Sequence, residues 1–305
     1  MSQIDPYTNQ QGVMKNRLSI EDAETLSFAE RDYSAARLYE IQTGEAPAET
    51  RGQFDADHLR AIHGHTFQDV YEWAGVTRGD DLMLEGVAHK QPEHLIKATT
   101  SFEEASQVNA RLDAFCDRLA QQDHLRGLSR EAFSQQAADA MSELNQIHPF
   151  REGNGRTQRE FMTQLAQQAG HELSFEGVTQ QRMTVASFDA AQGNKETMRR
   201  LFSEITDPDR SRLLQRGYNT LHERHGEKVQ QVYLTTTTAG QEYAGQLHAK
   251  AQQHFVMRST GDFVVGHAQD LPKASSAGDT VKITATHTPS AAQEKQAQRQ
   301  QGLEY

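Results

Sequence analysis

From Ser19 onward the apolar positions Leu26, Tyr33, Leu38 and Ile41 fall mostly on one face of a 3.6-residue period. The pattern predicts a helix with Ser19 as N-cap and Gly44 as its end. The segment APAETRGQFDADHL then resets the chain, and Asp55 or Asp57 is the expected cap of a second helix that runs through VYEWAG to Gly75. Residues 76–90 lose the helical period and carry turn formers, which predicts a short hairpin over about 77–90. Two more helices are expected at about 91–123, kinked or divided near 99–101, and at 129–147. A loop, HPFREGNGR, follows and runs into a helix closed by Gly170. Further helices are expected over 179–191, 195–206 and 208–225.

Near residue 230 the pattern changes. The runs QVYLTTTT, EYAGQLHAKA, HFVMR, DFVVGH and TVKITATH are β-branched or aromatic and are separated by Gly, Asp and Pro. Five such strands in a short span predict a small barrel or open sheet. Residues 1–16 read as a polar, turn-rich arm, and 290–305, rich in Gln, show no core-forming pattern. The expected plan is an arm (1–16), a helical domain (17–225), a small β module (230–289) and a tail (290–305).

Composition narrows the class. With 305 residues, 36% hydrophobic and 24% charged, the chain holds enough apolar material for one good core and a smaller second one, which excludes a disordered or fibrous protein. Its net charge of −11 repels phosphate backbones, so nucleic acid is not an expected partner and any nucleotide needs a local basic pocket. The one cysteine, Cys116, excludes an internal disulfide and a Cys-based zinc site and fits a reducing cytoplasm. No basic-then-apolar leader and no run approaching membrane length is present, so the expectation is a soluble chain with no membrane partner.

The chemistry is concentrated in His148-Pro149-Phe150-Arg151-Glu152-Gly153-Asn154-Gly155-Arg156-Thr157-Gln158-Arg159. Gly153 and Gly155 permit positive φ and close approach of a ligand to the backbone. They sit where a helix begins, and a helix N-terminus offers free N–H groups to an anion. Arg156 and Arg159, three apart, are neighbours on the first turn. Two guanidiniums at a nest of N–H groups describe a polyphosphate site. Glu152 is a hard oxygen ligand placed for Mg²⁺ bridging phosphates. His148 can exchange a proton near neutral pH, and Phe150 is the apolar anchor. No GxxxxGK string exists, and Gln158 stands where a dinucleotide fingerprint needs Gly or Ala.

This string resembles the Fic signature HxFx(D/E)GNGRxxR and matches it at every specified position; with DVYEWAG at 69–75 the similarity covers about residues 5–205. It is most similar to the Fic toxins of conjugative plasmids and related Bartonella effectors. The resemblance implies a Fic-type helical bundle with a β-hairpin flap, and transfer of AMP from ATP to a protein hydroxyl with Mg²⁺. It implies that His148 is the base and Glu152 the metal ligand. Gly153, Asn154 and Gly155 would form the anion hole, with Arg156 on the phosphates and Arg159 on the γ-phosphate. Gly155 favours AMP transfer, because a phosphorylating branch resembles NKR where this chain reads NGR. The 77–90 hairpin matches the place where family members dock the target as an added strand. The implied targets are bacterial type II topoisomerase subunits or, for an exported effector, a host small GTPase; the implied location is the cytoplasm, with translocation by a type IV system as the exported alternative. The family's inhibitory pattern (S/T)xxxE(G/N) is missing at Glu85-Gly86 and Glu176-Gly177, which implies a separate small antitoxin. The β module resembles the OB-like module of Bartonella effectors and the KfrB-type module of plasmid proteins. A second reading keeps the scaffold as an interaction protein whose β module contacts the partner; the intact motif argues against it.

Other chemistry-bearing residues read as ordinary. His58, His63 and His65 are spaced five and two apart, not at the i,i+4 interval of a helical metal site. His222 and His225 lack a third ligand, and Cys116 lies on an apolar helix face. Trp73 is expected in the helical core. Tyr233, Tyr243, Phe255 and Phe263 sit at strand-core spacing in a module of zero net charge, which argues against a nucleic-acid stacking groove.

Overall fold

The computed structural model describes residues 5–97 and 100–286. They form two compact units, one from the residues up to 173 with 187–199, the other from 174–186 with those from 200 onward.

In the first unit, α1 (Ala23–Thr43) is capped by Asp22, whose carboxylate accepts from the Thr25 N–H at 2.8 Å, three residues later than the expected cap Ser19. Gly44 ends it with φ +81. Helix α2 (Ala56–Phe67) is capped by Asp55 as expected, but stops at Phe67 rather than at Gly75. The physical reason is aromatic packing. Residues two apart lie on opposite sides of a helix, yet Tyr71 and Trp73 stack at 4.4 Å, so 68–75 fold as turns that bury both rings. The expected hairpin is present as β1 (Leu82–Leu84) and β2 (Val87–His89), turned through Glu85 and Gly86 at positive φ.

The helix expected over 91–123 begins much later. A second hairpin, β3 (Ile96–Lys97) with β4 (Thr100–Ser101), precedes α3 (Ala105–Gln121). Phe102 and Glu103 give their N–H groups to Leu95 and Gln146, so this stretch is tied across space instead of along a helix. Helix α4 (Arg130–Ile147) buries Phe133, Ala137, Met141 and Leu144, an i,i+4 stripe, and α5 (Asn154–Gln168) buries Phe161 and Leu165 beside it. Residues 5–16 are no loose arm: Tyr7 and Val13 are buried in one cluster with Leu26, Phe67, Trp73 and Leu82.

Helices α6 (Gln180–Ala191) and α7 (Glu196–Ile205) are each divided between the units. The second unit holds α8 (Pro208–His225), β5 (Leu234–Thr236), β6 (Glu242–Lys250), β7 (His254–Ser259), β8 (Asp262–His267) and β9 (Thr280–Thr284). The sheet order is β5-β8-β7-β6-β9, with β5–β8 parallel and the rest antiparallel. Among the described residues no pairing joins the edge strands β5 and β9, so the sheet is open. Leu247, Phe255, Met257 and Ile283 form its core. Helix α8, expected in the 17–225 domain, belongs with this sheet: an added Cβ at Gly217 would come within 2.8 Å of the Val265 Cβ, and only glycine lets the helix approach so closely. The 290–305 tail lies outside the described residues.

Candidate active site

The site is built on the loop between α4 and α5. His148 closes α4 in a left-handed conformation, φ 48°, with its N–H on Leu144 O at 3.1 Å. The following Pro149 disfavours helical backbone at His148, so the chain must leave the helix there. Arg78 fixes the exit. It is buried, donates from Nε to His148 O at 2.9 Å and from Nη2 to Ile147 O and Glu103 O, and its N–H bonds Pro149 O at 2.7 Å. Phe150 is fully buried and stacks on His63 at 3.8 Å. The Asn154 side chain turns back on Phe150, accepting from its N–H at 3.0 Å and donating to its carbonyl at 2.6 Å. What Asn154 can offer an anion is therefore its main chain.

The His148 ring stacks on Phe102 at 3.8 Å. Its Nδ1 faces Asn145 O at 3.3 Å, which assigns the proton to Nδ1 and leaves Nε2 with a lone pair and no partner. Burial, then the charges of Lys97 and Arg78, push its pKa down to about 3, so the ring is neutral at physiological pH.

Around the start of α5 the backbone is bare. Gly153 has φ +84, and a Cβ there would drive into the Phe67 ring. The first intrahelical bond runs from Thr157 N to Gly153 O, so the N–H groups of 154–156 lack helical acceptors. A Cβ on Gly155 would lie 3.3 Å from Arg159 Nη1, which places that guanidinium beside the nest. Arg156 pairs with Glu30 of α1, donates to Ser34 Oγ at 2.8 Å and lies over Phe67 at 4.7 Å. Arg159 has no hydrogen-bond or ion-pair partner among the described residues, and burial, then Arg156, lower its pKa.

Glu152 is held at both ends. Its carboxylate pairs with Lys97 Nζ at 2.9 Å, and its carbonyl accepts from His63 Nε2 at 3.0 Å. His63 Nδ1 accepts from Gly75 N at 2.8 Å, which fixes the tautomer as Nε2–H. The structure thus gathers His148, Glu152, Gly153, Asn154, Gly155, Arg156 and Arg159 in one place. Sequence reasoning missed Arg78, Lys97 and Glu30, and read His63 as ordinary. No spacing links any of them to the motif. Among the described residues no three or more His, Cys, Asp or Glu side chains gather in a group that could hold a metal ion. Cys116 is buried, and burial pushes its thiol up to about 12.

A Mg²⁺ ion fits this donor set: the Glu152 carboxylate already faces a cation, and an anion nest adjoins it. No helix among the described residues is long and apolar enough to cross a membrane.

Residues 53–166 match the Fic/DOC family model. A protein adenylyltransferase of Bartonella schoenbuchensis, VbhT, is 40% identical over 207 residues, 66% of this chain and 40% of its own length. The chain thus spans about two-fifths of that relative. A probable protein adenylyltransferase Fic of Escherichia coli is 30% identical over 63% of this chain and 87% of its own. Among solved structures, the type IV secretion system effector BepA superposes with TM-score 0.83 at 30% identity, covering 93% of this chain and 97% of its own. BepC of Bartonella tribocorum, solved with bound AMPPNP, gives TM-score 0.62 at 33% identity over 66% of this chain and 96% of its own.

Proposed function

The chain belongs to the Fic/DOC family, and from that premise we propose that it transfers AMP from ATP to a hydroxyl side chain of a target protein. The observation that carries the reading is the unpartnered, unprotonated Nε2 of His148 beside a helix start whose N–H groups are free. The adenylyltransferase relatives and the AMPPNP in BepC, an ATP analogue, support the substrate.

In this reading the triphosphate lies on the N–H groups of residues 153–156, with Arg156 and Arg159 neutralising its charge. His148 Nε2 takes the proton of the target hydroxyl as its oxygen bonds to the α-phosphorus. The bond from that phosphorus to the bridging oxygen breaks, and pyrophosphate leaves. Glu152 would hold Mg²⁺, which when bound supplies charge neutralisation to the phosphates. Arg78, by fixing the carbonyls of Ile147 and His148, holds the imidazole in place. The exposed Met83 and Val87 of the β1–β2 hairpin are the proposed docking edge for the target.

The proposed targets are bacterial type II topoisomerase subunits; the second reading, for an exported effector, is a host small GTPase, and the likeness to the type IV secretion system effector BepA supports the translocation it needs. The missing inhibitory pattern supports control by a separate small antitoxin whose glutamate would pair with Arg159. Incubation with labelled ATP and Mg²⁺ in bacterial and host lysates, followed by mass spectrometry of each labelled band, tests the target. Label in neither lysate defeats both target readings.

A further inference from the structure

The partner of Glu152 lies outside the motif. Lys97 comes from β3 of the second hairpin and meets the Glu152 carboxylate at 2.9 Å. It is that carboxylate's only ion-pair partner among the described residues, since Arg156 is taken by Glu30. Both members are more than one third exposed, at 39% and 38%, so the pair can open without stranding a buried charge. The same hairpin leads directly into Phe102, the ring stacked on His148, so one segment touches both the base and the carboxylate.

We infer that Lys97 is a placeholder cation: its ammonium neutralises Glu152 when no metal is bound, and a divalent ion must displace it to reach that carboxylate. The inference rests on the proposed reading of Glu152 as metal ligand. Its physical content is a competition between two cations for one carboxylate. Removing the monovalent competitor tightens divalent binding, and keeping a positive charge at position 97 preserves the competition. Because a half-exposed ion pair is weak, the effect is modest, about two- to fivefold in apparent metal affinity.

The test titrates Mn²⁺ into the full chain with a non-hydrolysable ATP analogue and follows free Mn²⁺ by electron paramagnetic resonance. Wild type is compared with Lys97→Met, Lys97→Arg and Glu152→Gln, each checked for folding by circular dichroism. Lys97→Met should lower the apparent Mn²⁺ dissociation constant about two- to fivefold, Lys97→Arg should stay near wild type, and Glu152→Gln should raise it. Binding of the analogue without metal should be the same in Lys97→Met and wild type. If Glu152→Gln weakens metal binding while Lys97→Met leaves it unchanged or weaker, Lys97 is no placeholder. A loss of metal-free analogue binding in Lys97→Met would make Lys97 a phosphate ligand and likewise overturn the inference. Unchanged metal affinity in Glu152→Gln would remove Glu152 as ligand, and both readings fall together.

Discussion

Arg78 and His148 are seventy residues apart in sequence, yet the Arg78 Nε donates to the His148 carbonyl at 2.9 Å. With two further carbonyls on Nη2, this guanidinium is the fastening of the active loop. Arg78→Ala would leave buried acceptors unpaired, a cost of about 1–3 kcal/mol. Arg78→Lys, a point charge without the planar fork, should recover only part of it. Denaturant melts and transfer rates should fall together; full stability in Arg78→Ala would refute the assignment.

His148→Ala removes the base but none of the phosphate donors. Transfer should drop ~10²–10⁴-fold, while calorimetry finds nucleotide affinity nearly unchanged. A collapse of nucleotide binding would mean that His148 contacts the nucleotide.

The two glycines of the nest should respond differently. Gly153→Ala forces a Cβ into Phe67 at positive φ, so stability should fall by about 1–3 kcal/mol. Gly155→Ala meets only the movable end of Arg159, and alanine is the better helix former by up to about 1 kcal/mol. Its melting temperature should hold or rise while nucleotide affinity falls. Equal thermal losses in both variants would contradict the geometry.

Acid should weaken the fold through two imidazoles. His63 and His148 are each pushed down to about 3, chiefly by burial, against an ordinary value near 6.5. Between those values the unfolded chain binds more protons than the folded one. The stability these groups contribute is therefore present above about pH 6.5 and is lost as pH falls towards 3. Each contributes a slope of up to about 1.4 kcal/mol per pH unit. His63→Gln, less stable than wild type at neutral pH, should lose less on acidification to about pH 5. Parallel pH profiles in denaturant melts would show that His63 is protonated in the folded state.

The loop and α5 were legible in sequence because their information is local: the proline after His148, the two glycines and the first-turn arginines all act on neighbours. The β1–β2 hairpin and the five strands of the second unit were legible for the same reason. Residues that act across space were not. His63 reaches Glu152 across 89 positions and Lys97 across 55, and neither spacing carries a signal. Tyr7 and Val13 looked like scattered apolar residues in a polar arm, but Tyr7 meets Trp73 edge-on at 5.2 Å. Helix α8 was assigned to the wrong neighbours because its amphipathic pattern says that one face is covered, not by what.

The proposed reaction moves the α-phosphorus of ATP, with its adenosine, onto protein. The most direct measurement incubates wild type and His148→Ala in lysate with ATP labelled at either the α- or the γ-phosphorus. Protein-bound label is expected from α-labelled ATP with wild type, and almost none from γ-labelled ATP or with His148→Ala. Protein labelled from the γ-position, or equal labelling by His148→Ala, would contradict the proposed reaction.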